Sequence, residues 1–210
     1  MISVIFSLSS YGQDAGFFGS PISSVVYKKD GPTTYAQGND FNESDLGTIN
    51  SLVLKGAKIQ TYKKNGGNVT GAFINYRVYE SGSSVPPPFK EESIDFGYND
   101  GVGGNQTWEK SDLTINLVSG LSSGDYKFEV YFKITSSIGD KFQNNSGNNY
   151  IANFTLPTRS ASDGDWSESE TWLGGSVPSS GSEVGILHDV ALDESTSVSS
   201  LTINTGSTFT

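Results

Sequence analysis

The feature that most limits what this chain can become is a period of two in its apolar residues. Tyr126, Phe128, Val130, Phe132 and Ile134 fall on one side of an extended backbone, with Lys127, Glu129, Tyr131 and Lys133 on the other. Successive side chains of a strand point to opposite faces, so this is a half-buried strand. The rhythm returns in Ala72, Ile74, Tyr76 and Val78, in Leu113, Ile115 and Leu117, and in Tyr150, Ala152, Phe154 and Leu156. Over residues 52–62 the phase changes, because Leu52 and Leu54 are even-numbered whereas Ala57 and Ile59 are odd. A bulge at Gly56 returns both sets to one face. The Asn65-Gly66 pair that follows suits the positive backbone angles of a tight turn. An all-β fold is expected.

Composition narrows the chemistry. The 210 residues are enough to bury a real core and include 25 Gly, no Cys, one Met and one His. Without Cys there are no disulfide scaffolds, thiolate zinc sites or cysteine nucleophiles. The single His188 excludes multi-histidine metal sites and leaves room for at most one catalytic triad. A net charge of -10 speaks against nucleic acid, whose phosphates need Lys and Arg to replace their counterions. No segment reaches the roughly 20 apolar residues of a membrane span.

All 13 basic residues lie between Lys28 and Arg159, whereas residues 160–210 hold eight acids and no base. So abrupt a change marks a boundary. It is placed in a polar linker over residues 158–164, just past Pro157, between one domain over 13–157 and another beginning at 165. The opening Met1-Ile2-Ser3-Val4-Ile5-Phe6-Ser7-Leu8 is apolar and is followed by small residues, as at the end of a secretory signal peptide cut before Gln13. It lacks the usual preceding positive charges, and a buried first strand is the other reading. At the far end, Ser207-Thr208-Phe209-Thr210 has strand character without a charged cap, so the polypeptide is expected to continue.

Leu121-Ser122-Ser123-Gly124-Asp125-Tyr126 resembles the tyrosine corner of Greek-key sandwiches, in which a Tyr hydroxyl bonds backbone a few residues upstream. The resemblance implies an immunoglobulin/fibronectin-III-like β-sandwich whose last three strands are 113–118, 126–134 and 149–156. After it, short apolar pairs (Val184/Ile186, Val190/Leu192, Leu201/Ile203) alternate with Asp, Ser, Asn and Gly, as the first coils of a parallel β-helix require. With Trp166, Trp172, Gly174-Gly175 and Pro178, this stretch resembles the opening of β-helical surface proteins exported by Bacteroidetes, and G8-type domains. Residues 52–79 and 144–156 are similar to modules of type IX secretion substrates, many of them adhesin-like. The resemblance implies export machinery as a partner and a secreted or cell-surface location, and it brings no catalytic residue.

Candidate binding residues follow from loops and aromatics. The loop over 135–148 ends in a run of amides that includes Asn144, Asn145 and Asn148, and binding residues favour loops at sandwich ends. A second loop, 81–89, holds three prolines and must be irregular. Carbohydrate sites set aromatic platforms beside amides, which makes Tyr98, Trp108, Tyr131 and Tyr150 candidates, each with core packing as its other reading. Trp166 and Trp172 either cap the first coil or stack on a sugar ring. Asp163-Gly164-Asp165 has the spacing to give two oxygens to Ca²⁺, the one cofactor the sequence admits, or is simply a solvated linker. For catalysis, Glu91 and Glu92 point to opposite faces of any strand and cannot act as one acid/base pair. The expected function is a non-catalytic, adhesin-like module whose partners are extracellular glycans or cell-surface components. The alternative is a carbohydrate-binding accessory region of a polysaccharide-degrading enzyme whose chemistry lies elsewhere.

Overall fold

The computed structural model describes residues 12–18, 23–100 and 104–210. The leader expected over residues 1–12 lies outside them except for Gly12. In chain order the described strands are β1 (Asp14–Phe17), β2 (Ser24–Lys29), β3 (Thr33–Gln37), β4 (Asp45–Thr48), β5 (Leu52–Lys64), β6 (Val69–Glu80), β7 (Lys90–Ile94), β8 (Phe96–Asn99) and β9 (Gln106–Lys110). They continue with β10 (Ile115–Asn116), β11 (Gly124–Ser136), β12 (Lys141–Gln143), β13 (Tyr150–Leu156), β14 (Thr158–Arg159), β15 (Gly164–Asp165), β16 (Glu183–Ile186), β17 (Val190–Ala191) and β18 (Ser200–Ile203). The one α-helix among the described residues, α1 (Gly38–Phe41), is a single turn. The chain is all-β, as its apolar rhythm requires.

Two sheets share one core. The first has the order β3-β2-β5-β9-β8, with β1 and β10 also paired to β5; the second runs β4-β13-β11-β6-β7, with β12 on β11. Pairing is antiparallel throughout both, apart from β13 with β4. Leu52, Leu54, Ala57 and Ile59 from the first sheet meet Ile74, Phe128, Phe132 and Phe154 from the second, all at most 2% exposed. Gly56 does what its phase change demands. Opposite β2 the register slips as Val26 pairs Gly56 and Tyr27 pairs Leu54, and Gly56 has φ +136. Asn65 and Gly66 take φ 52 and 81 in the turn that carries the chain from the first sheet to the second.

The Tyr126 hydroxyl donates to the Ser122 carbonyl at 3.1 Å, the bond that a tyrosine corner makes. The strand expected over 113–118 shrinks to β10. Leu113 N bonds Lys55 O and Leu117 N bonds Leu52 O, so the segment follows β5, but Asn116 Oδ1 takes the Val118 amide and turns the chain away.

Beyond Leu156 the named strands pair in parallel, with one isolated antiparallel bridge between Ser160 and Trp172. β14, β16 and β18 stack in one small sheet, β15 and β17 in another, and Val190 bridges onward to Phe209. Trp166, Trp172, Val184, Ile186 and Val190 form a second, separate core. Residues 158–164, expected as a linker, hold β14 and the start of β15, and Arg159 and Ser160 within them are 4% and 2% exposed. No helix among the described residues is long and apolar enough to cross a membrane.

Candidate functional site

The amide run folds into a concave polar surface. Asn145 and Asn148 form an antiparallel bridge that closes a tight turn, and Asn144 Oδ1 accepts the Gly147 amide at 3.0 Å. Asn144 is thereby committed to its own turn. Asn145 and Asn148 instead line a cleft of about 360 Å³ with Asn42, Glu43, Lys127, Asn149, Ile151 and Asn153. Its rear wall is fixed: Asn42 Oδ1 accepts the Ile151 amide, and the Glu43 amide donates to Ile151 O with Glu43 at φ 61. Amide side chains both donate and accept, which matches ligands rich in hydroxyls. Asn42 lies more than 100 residues before Asn149 and Asn153, and the pairing of β13 with β4 and β11 brings it and Lys127 to them.

Beside this cleft, Asn149 Nδ2 reaches Glu129 Oε1 at 2.6 Å, and Arg77 Nε reaches Glu129 Oε2 at 2.7 Å. Burial by itself raises the Glu129 pKa, but the bonds from Arg77, Asn149 and Tyr79 and the charge of Arg77 hold it below the ordinary carboxylate value. Burial and the same carboxylate push Tyr79 up to about 12.

Among the aromatic candidates, Tyr131 is half-buried between Phe89, at 4.9 Å, and Phe142, at 6.1 Å. It is Phe142, 58% exposed and not singled out from the sequence, that is open to solvent there. Tyr150 is in the core, and Tyr98 stands exposed on β8. Trp108 is 7% exposed, its indole N–H donating to Thr61 Oγ1 at 3.0 Å. Trp166 and Trp172 are buried edge to face at 4.8 Å, and Trp172 Nε1 donates to Trp166 O at 2.8 Å. Neither can offer a ring face to a sugar; they fill the small core instead.

In the parallel-sheet unit, polar side chains bond the next turn of the chain. Asp163 Oδ1 accepts the Asp189 amide, and Asp189 Oδ1 accepts the amide and hydroxyl of Thr208. Asp193 takes the amide and hydroxyl of Ser167. These bonds keep Asp189 and Asp193 below the usual carboxylate range. Asp165 is exposed, and among the described residues no three His, Asp or Glu side chains gather closely enough to hold a metal ion. Ser160 Oγ accepts the amides of Leu187 and His188 and lies 3.2 Å from His188 Nδ1. With its oxygen already bonded twice and the residue 2% exposed, this hydroxyl has no access to a substrate carbonyl. Glu91 and Lys133 form an ion pair on the outer face of the second sheet.

The composition of the chain gave no sign of what Arg159 does. Its guanidinium donates to the carbonyls of Asn50 (3.2 Å), Val118 (3.2 Å) and Leu121 (2.6 Å), all in the two-sheet unit. Burial lowers its pKa, with Tyr126 and Asp30 acting in the opposite direction. Beside this joint a second polar cleft, about 370 Å³, lies between Lys28, Asp30 and Thr48 on one side and Leu187, Thr202 and Asn204 on the other. No protein family, curated protein or solved structure matches the chain.

Proposed function

We propose that the chain is a non-catalytic, secreted or cell-surface module of adhesin-like character, in which an immunoglobulin/fibronectin-III-like sandwich leads into the first coils of a parallel β-helix. The Tyr126–Ser122 bond supports the sandwich, and the stacked pairing of β14, β16 and β18 supports the β-helix. The observation that carries the functional reading is the open cleft of side-chain amides around Asn145 and Asn148. It offers several hydrogen-bonding groups to a hydroxyl-rich partner and holds no nucleophile poised beside a base. The acids of the parallel-sheet unit support it too, since Asp163 and Asp189 accept backbone amides of adjacent coils, while the His188 ring lies against the Ser160 hydroxyl.

The exposed Phe142 beside Tyr131 favours a second reading, a carbohydrate-binding accessory region of a polysaccharide-degrading enzyme. Probing the purified chain on a glycan array and on whole cells, with and without calcium, tests both. Adhesion to cells or to their surface glycans, reduced in Asn145→Ala/Asn148→Ala, is the expected result. Retention only by soluble polysaccharide favours the accessory region, and no binding under any condition leaves a structural spacer and overturns the proposal.

A further inference from the structure

β11 spans the two-sheet unit from end to end. Gly124 pairs with Leu156 beside the Arg159 joint, and Ser136 pairs with Val69 at the opposite end. At about 3.3 Å per residue those ends are roughly 40 Å apart. The far end lies away from the parallel-sheet unit. There an open groove of about 460 Å³, within the roughly 300–1,000 Å³ span of small-ligand sites, is lined by Phe96, Trp108, Gln106, Asn68, Thr70 and Asn99.

Three features of this groove call for a ligand. Phe96 is 47% exposed although it sits edge-on to Trp108 at 5.3 Å, so an aromatic ring remains in water beside a buried one. Gln106 is 4% exposed, and its Oε1 has no hydrogen-bond partner among the described residues. The walls are already fixed. Trp108 is held by Thr61, Thr107 Oγ1 donates to Asp100, and the Lys63 amide donates to Gly104 O; a side chain at Gly104 would collide with the Lys63 carbonyl. A preformed site loses little freedom on binding.

We propose that this distal groove binds the ring of a neutral sugar. The C–H face of a pyranose packs on Phe96, while the side chains of Gln106, Asn68, Asn99 and Thr70 take its hydroxyls. Lys63 supplies the only charge among the lining residues, and no carboxylate is present for a cationic ligand. The proposal rests on the reading of the chain as a binding module and adds to the Asn145/Asn148 cleft a second, distal site for a neutral sugar.

The test is a titration of the ¹⁵N-labelled chain with methyl pyranosides of glucose, galactose, mannose and N-acetylglucosamine and with their short oligomers, followed by NMR. Saturable shifts of the Trp108 indole N–H and the Gln106 side-chain amide are expected with at least one of them. Phe96→Ala, at an exposed position, should weaken that binding about tenfold, and Val85→Ala, 81% exposed and outside both clefts, should leave it unchanged. Unaltered Tyr126 and Val130 amide signals in each variant show that the fold is intact. Shifts at Asn145 and Asn148 with Trp108 silent overturn the groove and keep the binding module. A chain that answers none of these sugars overturns the groove as well, while adhesion to cells decides the module separately.

Discussion

Glu129 shows how a single side chain can defy its place in a pattern. It lies on the outward side of β11, as the alternation requires, yet it is 4% exposed. Arg77 and Asn149 close over its two oxygens, and Arg77 in turn lies 4.2 Å from the Phe89 ring and donates to Pro87 O. The irregular 81–89 segment therefore roofs part of a face that the local sequence marks as solvated, and no window along β11 could reveal it. The folded pKa of Glu129 is below its unfolded value near 4.5, so the carboxylate contributes stability above that value and loses it as pH falls through the folded pKa. Denaturant unfolding of Glu129→Gln should show a loss of about 2 kcal/mol at pH 7, because the half-buried Arg77 charge loses its partner. Between pH 5 and 3 the variant should lose less further stability than the parent chain. Parallel acid limbs in the two proteins would show that the ion pair is not coupled to folding.

At the scale of elements, legibility followed locality. β6, β11 and β13 could be read from single stretches, since each keeps one buried face, and the bulge in β5 was readable because one glycine sits where the phase changes. The segment over 113–118 could not be, because Asn116 captures a backbone amide that a strand needs. Trp108, Trp166 and Trp172 stayed ambiguous for another reason: a buried ring and a stacking platform leave the same mark in a sequence. Gly56 gives the sharpest test of the bulge. A Cβ there would fall on the Lys110 carbonyl oxygen, which is backbone and cannot step aside, and φ +136 is strained for any L side chain. Gly56→Ala should destabilise the chain by about 3 kcal/mol or more in urea unfolding, against less than about 0.5 kcal/mol for Gly82→Ala, where the added atom meets open space. Equal effects would mean that β5 carries its phase change without the bulge.

Across the whole molecule, the question is what makes two cores behave as one. The parallel-sheet unit has only five buried apolar side chains in its core, and a short stack of coils needs a neighbour to cover its first rung. Arg159 belongs to that first rung, β14, and is tied to three carbonyls of the two-sheet unit; close by, the Asn50 side chain occupies the space that a Cβ on Gly185 would need. Its position as the last base before an acid-only stretch was visible in the sequence, but the opposing carbonyls come from segments 38, 41 and 109 residues away, so the joint was not. Arg159→Ala leaves those carbonyls without their donor, which should cost about 2–4 kcal/mol, and most of that loss should fall on the coupling between the cores. In a Trp108→Phe background, fluorescence reports Trp166 and Trp172 in the small core, while far-ultraviolet dichroism is dominated by the two larger sheets. With Arg159 present the two signals should change together during urea unfolding. In Arg159→Ala the fluorescence should change first, because the small core has too little buried area to hold alone once its neighbour lets go. Transitions that still coincide in the variant would assign the coupling to the β13–β14 chain connection itself rather than to the arginine.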